Sequence, residues 1–122
     1  MKKIAIVGMA ALAIMLTPVF VSGQDKAEDV TLSGEPVDIQ CFMQGRSGEA
    51  HASCAKGCAE KGLPIGLFVK DGDEEELYLV LGGGGKTAKD LLAEHMGMQV
   101  KATGKVSMKG GMKVLTVSKV EA

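Results

Sequence analysis

The chemically reactive side chains of this sequence are concentrated in one short segment. That segment contains every cysteine of the chain and one of its two histidines, in the order Cys41, His51, Cys54 and Cys58. Thiolates and imidazole nitrogens are the ligands that zinc prefers in structural sites, and thiolates also bind copper(I) well. The residue types therefore predict a Cys3His site for one ion, zinc or copper(I).

Two elements must position these four side chains. Residues 49–61 are expected to form a helix, because small capping residues precede them and a glycine follows them. In that helix His51, Cys54 and Cys58 occur at i, i+3 and i+7, so they fall within about 60° of one another on one face. Cys41 follows an alternating segment and is expected at the end of a strand. The prediction therefore requires this strand end to lie against that helix face.

The odd number of cysteines leaves other interpretations open. One disulfide, joining Cys41 to Cys54 or Cys58, would leave an unpaired thiol, which is a liability in an oxidising compartment. A first alternative is a thiol–disulfide redox protein in which Cys54 or Cys58 reacts and Cys41 resolves. A second is an OB-type module that has a structural disulfide and binds a ligand or partner such as a peptide or an oligosaccharide. Metal ligation protects all three thiols together and is the preferred interpretation.

A secondary, methionine-rich copper site is also considered. His95, near the end of a second expected helix, is followed by several methionines that could join it, namely Met96, Met98, Met108 and Met112. Met43, two residues after Cys41, is a further candidate thioether ligand for copper(I). Methionine more often fills gaps in a core, and a histidine near a helix C-terminus more often interacts with the helix dipole. The cysteine-containing segment is therefore the main candidate site.

Other motifs give little support for catalysis. The glycine run 82–85 followed by Lys86 and Thr87 is close to a phosphate-binding loop, but Val80 stands where that motif needs glycine. With two histidines in the chain, a Ser/His/Asp hydrolase set has few candidates, so no catalytic residue is assigned. A closed four-ligand site fits a structural or metal-carrier role. The chain is therefore predicted to bind a ligand rather than to catalyse a reaction.

The N-terminal residues have the pattern of a signal peptide. Two lysines precede an apolar run over residues 4–16, and the small residues Val21 and Gly23 fit a signal-peptidase site. Residues 1–23 are thus predicted to be removed, which gives a periplasmic or secreted protein. The apolar run is too short to span a membrane, and no cysteine near the cleavage site could carry a lipid, so no stable membrane anchor is expected.

Charge and aromatic content restrict the partners. The chain has 14 basic and 15 acidic residues, and loss of two lysines with the signal peptide leaves a net charge of −3. A mildly acidic domain is poorly suited to the phosphate backbone of nucleic acids. The aromatic residues available for stacking on bases are few, namely Phe42, Phe68 and Tyr78. The expected partners are a metal ion and, for a carrier, another exported protein.

Residues 24–122 are predicted to form one domain, mainly β with short helices (α+β). Thr87 and Asp90 can form a capping box at the start of the second helix. The predicted strands cover residues 30–41, with an interruption near Gly34, then 64–69, 77–81, 100–108 and 112–120, and the helices cover 49–61 and 88–96. This order and the short glycine-rich corners predict a small OB-like, partly open five-stranded barrel.

Two sequence patterns carry a resemblance to known proteins. Residues 77–120, an apolar strand, a short helix and a hairpin with a Gly-Gly turn, resemble the second half of small bacterial OB-fold domains. The motifs D-x2-C and H-x2-C-x3-C-x3-G-x-P, which begin at Asp38 and His51, are similar to those of small exported bacterial OB-fold-like proteins of uncharacterised function. The resemblance implies an architecture and a cysteine site, and it implies no activity.

Overall fold

The structure, a computed structural model, describes residues 29–122, and the predicted signal peptide lies outside the described residues. Five strands form a closed barrel with the neighbour order β1-β2-β3-β5-β4. The strands are β1 (Asp29–Asp38), β2 (Ile65–Asp71), β3 (Glu74–Gly82), β4 (Val100–Lys109) and β5 (Met112–Glu121). The helices of this part of the chain are α1 (Ile39–Phe42), α2 (Ala52–Glu60) and α3 (Ala88–Leu92). The mainly β, five-stranded barrel with short helices is confirmed, although its ring is closed and not partly open.

Strand β1 closes the barrel by changing its neighbour part of the way along. Gly34 pairs with Val100 of β4, whereas Glu35 pairs with Phe68 of β2. A Cβ atom on Gly34 would lie 2.7 Å from the carbonyl oxygen of Phe68, so the close approach of the two backbones at this corner requires glycine. The predicted interruption near Gly34 is therefore a change of pairing partner within one continuous strand.

Strands β3 and β5 give the barrel its mixed character. They pair in parallel, with Leu79 opposite Val114 and Gly82 opposite Val117, whereas the other four strand pairs are antiparallel. Because parallel neighbours need a crossover connection, α3 and the β4 strand lie between them in the chain. This crossover and the change of pairing partner along β1 together close the five strands into a ring.

The barrel interior is apolar and fully shielded from water. Its largest completely buried apolar side chains, each 0% exposed, are those of Leu67, Leu92, Leu115 and Val117. Helix α2 adds Ala55 and Ala59, which are buried against the same cluster. Alanine buries much less apolar area than leucine, so α2 is attached to the barrel by a comparatively small contact.

Helix α3 begins with the predicted capping box. The Thr87 hydroxyl accepts a hydrogen bond from the Asp90 amide at 3.1 Å, and the Asp90 carboxylate accepts one from the Thr87 amide at 2.9 Å. The α-helix ends at Leu92 and continues as a 3-10 turn, Ala93–His95, which shortens the predicted α-helix over residues 88–96. No helix among residues 29–122 combines the length and the hydropathy needed to cross a membrane.

Candidate metal centre

Cys41 lies in a helical turn, which corrects the prediction that it ends a strand. Strand β1 stops at Asp38, and α1 begins at Ile39. The Asp38 carboxylate accepts a hydrogen bond from the Gln40 amide at 3.1 Å, and the Ile39 amide donates to the carbonyl of Pro64 at 3.2 Å. An aspartate that captures the amide two residues ahead favours a turn over further extension of the strand. The turn directs the chain back over the strand end, so Cys41 lies near Asp38.

The other three predicted ligands lie on the second helical segment, as expected. A 3-10 turn, Glu49–His51, leads directly into α2, and together they match the predicted helix over residues 49–61. Gly62, at φ +86°, ends the segment, and the Leu63 amide donates to the carbonyl of Cys58 at 3.1 Å. This is the usual way in which a glycine satisfies the last carbonyls of a helix.

The structure brings the candidate ligands together in two groups that share one residue. A ring nitrogen of His51 and the sulfurs of Cys41 and Cys54 lie within 4.8 Å of one another. A carboxylate oxygen of Asp38 and the sulfurs of Cys41 and Cys58 also lie within 4.8 Å of one another. We call these groups the histidine triad (Cys41, His51, Cys54) and the aspartate triad (Asp38, Cys41, Cys58). The predicted meeting of Cys41 with the helix face is therefore present.

The spacing within each triad is close to that of a metal site. Zinc–ligand bonds of about 2.0–2.3 Å place tetrahedral ligands roughly 3.3–3.8 Å apart, so atoms within 4.8 Å need to move inward by at most about 1.5 Å. The cysteines of both triads are free thiols, so all three sulfurs are available as ligands. Cys54 is exposed, whereas Cys41 and Cys58 are partly buried, so an ion here would lie at the protein surface.

Each triad also contains a buried polar atom that lacks a partner. His51 Nε2 and Asp38 Oδ2 are both shielded from solvent and have no hydrogen-bond partner of normal geometry. The Asp38 side chain is 2% exposed, and it is the one charged residue in the buried part of the described chain. A buried polar group without a partner is costly and normally indicates an additional ligand or water. A metal ion in each triad would satisfy the unpartnered atom of that triad.

The thiols and Asp38 influence one another's ionisation. Donation of the Cys41 thiol proton toward the Asp38 carboxylate, helped by desolvation and by the neighbouring cysteines, raises the pKa of Cys41 to about 11. Donation to Asp38 also raises the pKa of Cys58. Burial alone would raise the pKa of Asp38, but the interactions with both thiols and with the Gln40 amide together lower it. In the metal-free protein Cys41 and Cys58 are therefore protonated and Asp38 is charged.

Asp38 is the site residue that the ligand count from sequence missed. A sequence signal for it exists, because aspartate is a preferred helix N-cap and Cys41 would then be the third residue of the helix. That spacing places the side chain of the third residue near the capping carboxylate. By contrast, His95 belongs to neither triad, and Met43 is 73% exposed at the end of α1, so the secondary copper site stays a prediction.

Comparisons with known proteins add no further assignment. No protein-family model, curated protein or solved structure gives a match to this chain. What the structure shows for residues 29–122 is a small closed β-barrel with a cluster of cysteine, histidine and aspartate side chains that could hold a metal ion.

Gly97 allows the segment that carries His51 to pack closely, and replacing it should disturb the site. At φ +76°, a Cβ atom on Gly97 would lie 2.7 Å from the Gly48 carbonyl and 2.8 Å from the Ala52 side chain. We expect Gly97→Ala to displace the start of α2, lower stability by about 1–3 kcal/mol and weaken zinc binding at least about tenfold. Zinc-competition titration and chemical denaturation measure the two effects.

Gly110→Ala is the matched control for this substitution. Gly110 also has a positive φ, +59°, but a Cβ atom there would meet nothing within 4 Å. The control variant should show the backbone penalty without a change in zinc affinity. Equal zinc affinities for the two variants would show that Gly97 does not position the site.

Proposed function

We propose that this chain is an exported metal-binding protein that holds zinc or copper(I) through the histidine triad. The observation that carries the proposal is the convergence of two thiols and an imidazole within 4.8 Å, in a place where His51 Nε2 is buried without a partner. Two sulfurs and one nitrogen suit both ions, since zinc accepts them in tetrahedral sites and copper(I) favours soft sulfur ligands. Cys58, the fourth predicted ligand, lies beside the same Cys41 in the aspartate triad.

The exposure of the site favours metal carriage over a purely structural role. Cys54 is exposed, so a thiolate of another protein could reach an ion bound to it and exchange ligands. The candidate ligands of the histidine triad, by contrast with the apolar side chains of the strands and of α2 and α3, are not part of the buried core. We therefore propose as partner an exported protein that presents thiolate or imidazole ligands. Export itself is supported by the signal-peptide pattern in residues 1–23.

The ionisation of Cys41 and Cys58 favours this proposal over a redox function in which either of these two thiols attacks. Reactive thiols in disulfide exchange have a lowered pKa, because the thiolate is the attacking species. Here hydrogen bonding to the Asp38 carboxylate, together with desolvation and the negative charge of that carboxylate, raises the pKa of Cys41 to about 11 and also raises that of Cys58. A positive ion reverses that effect by stabilising the thiolates, so the cluster suits a metal better than a nucleophile.

The test is metal analysis of the protein purified from its native compartment. We expect native mass spectrometry to show bound zinc or copper that a chelator removes, with all three cysteines reduced. His51→Ala should weaken binding of an ion at the histidine triad by about 100-fold or more, because it removes one of three ligands. His95→Ala is the matched control and should bind as the native protein does. A metal-free protein with two oxidised cysteines, unchanged by His51→Ala, would overturn the proposal.

A further inference from the structure

The two triads contain five different donor groups, which is one more than the four ligands that a zinc ion usually binds in proteins. The histidine triad and the aspartate triad have Cys41 in common, and each adds two ligands of its own. Zinc in proteins is almost always four-coordinate, so one ion would leave at least one donor of this cluster unused. The unused donor would be a buried one if it were Asp38, which is 2% exposed.

Building on the proposed function, we propose that the cluster binds two zinc ions bridged by the Cys41 thiolate. His51 and Cys54 complete the protein ligands of the first ion, and Asp38 and Cys58 complete those of the second. A deprotonated cysteine sulfur has lone pairs enough to bind two ions at once. Each ion then has three protein ligands and one position for water or an incoming ligand.

Charge balance supports two divalent ions. Three thiolates and one carboxylate bring four negative charges into the cluster, and two zinc ions bring four positive charges. A single zinc ion in the histidine triad would be neutralised by the thiolates of Cys41 and Cys54, and the charge of the buried Asp38 would stay uncompensated. None of the ion pairs formed by residues 29–122 includes Asp38.

The geometry of Asp38 supports a role as a ligand of the second ion. Its Oδ1 atom caps α1 by accepting the Gln40 amide, which fixes the carboxylate in place. Its Oδ2 atom is buried and has no partner of normal geometry. A carboxylate oxygen is a harder ligand than sulfur, so its presence in this triad favours zinc over copper(I). One carboxylate therefore both shapes the turn that carries Cys41 and offers an oxygen to an ion beside it.

The stoichiometry of zinc binding tests the inference. The native protein should bind two zinc ions at saturation in native mass spectrometry, and cobalt(II), used as a coloured substitute, should give thiolate-to-metal absorption that levels off at two equivalents. The Asp38→Asn variant should bind one ion tightly, and its affinity for the second ion should be about 100-fold lower, because asparagine keeps the helix cap but lacks the charge. Cys58→Ser should have the same effect, and it keeps the test valid if Asp38→Asn does not fold.

The outcomes separate this inference from the proposed function. One ion in the native protein, unchanged in both variants, overturns the two-ion site and leaves the histidine triad as the metal site. If the native protein and both variants all bind two ions, the two-ion site is also overturned, because the second ion would then lie elsewhere. No bound ion in the native protein overturns the proposed function itself, and the inference with it.

Discussion

Replacing Cys41 by serine is expected to abolish metal binding at the cluster. Cys41 is the one residue that belongs to both triads, so its loss removes a ligand from each. Loss of a group that merely supports a metal ligand costs about 10- to 100-fold in affinity, and loss of a thiolate ligand should exceed that. We therefore expect at least a 100- to 1000-fold lower zinc affinity, equivalent to roughly 3–4 kcal/mol. Competition with a chromophoric chelator measures this change.

Two matched variants show whether the effect is specific to the shared position. Cys54→Ser affects the histidine triad alone, and Cys58→Ser affects the aspartate triad alone. Each should weaken zinc binding less than Cys41→Ser does. The barrel should remain folded in all three variants, because none of these cysteines belongs to its buried core. A Cys41→Ser protein with native affinity would show that the two triads are not the metal site.

The elements that could be predicted from the sequence are those that local rules determine. The alternation of Val100, Ala102 and Val106 with polar residues is sufficient to define β4, because successive side chains of a strand point to opposite faces. The capping box at Thr87 and the glycine stop at Gly62 depend on neighbours within four residues. Likewise, the placement of His51, Cys54 and Cys58, the three candidate ligands of this segment, on one helix face is predicted from the helical repeat.

The features that could not be predicted depend on contacts between distant segments. The closure of the ring depends on β1 pairing with β4 before Gly34 and with β2 after it, and no local pattern reports which neighbour a strand chooses. The alternating pattern of apolar and polar residues continues through Cys41, although the turn begins at Asp38. A prediction from the alternation alone therefore places the end of the strand too late in the chain. The N-cap position of Asp38 is a local signal, but the burial of its carboxylate beside Cys41 and Cys58 depends on contacts between distant segments.

Zinc is expected to raise the stability of the protein substantially, and most of the change should be local to α2. At a free zinc concentration about 1000 times the dissociation constant, an ion that binds only the folded state adds about 4 kcal/mol. The triads connect α1 to α2, and α2 is a nine-residue helix that contains Gly57 and buries little beyond Ala55 and Ala59. Removal of zinc should therefore loosen α2 while the barrel persists, since the core leucines belong to other elements.

Hydrogen exchange and denaturation with and without a chelator measure these effects. Amides of residues 52–60 should lose protection when zinc is removed, whereas those of β4 should keep it. If zinc instead protected the barrel and α2 equally, the cluster would not be what holds α2 in place. The Cys41→Ser variant is the control, and its hydrogen exchange should resemble that of the metal-free native protein both with and without the chelator.

The pH dependence of stability should have opposite signs with and without zinc. In the metal-free protein the pKa of Cys41 is raised from 9.0 to about 11, so folding favours its protonated form. That contribution is fully present below pH 9 and is lost as the pH rises toward 11. Zinc binds thiolates and must displace the thiol protons of Cys41 and Cys58, so the part of the stability that depends on zinc should instead increase with pH. Denaturation series between pH 6 and pH 10, with and without a chelator, would measure how the free energy of unfolding changes with pH in each form. If the zinc-dependent part of that free energy did not change with pH, the thiols would not be zinc ligands.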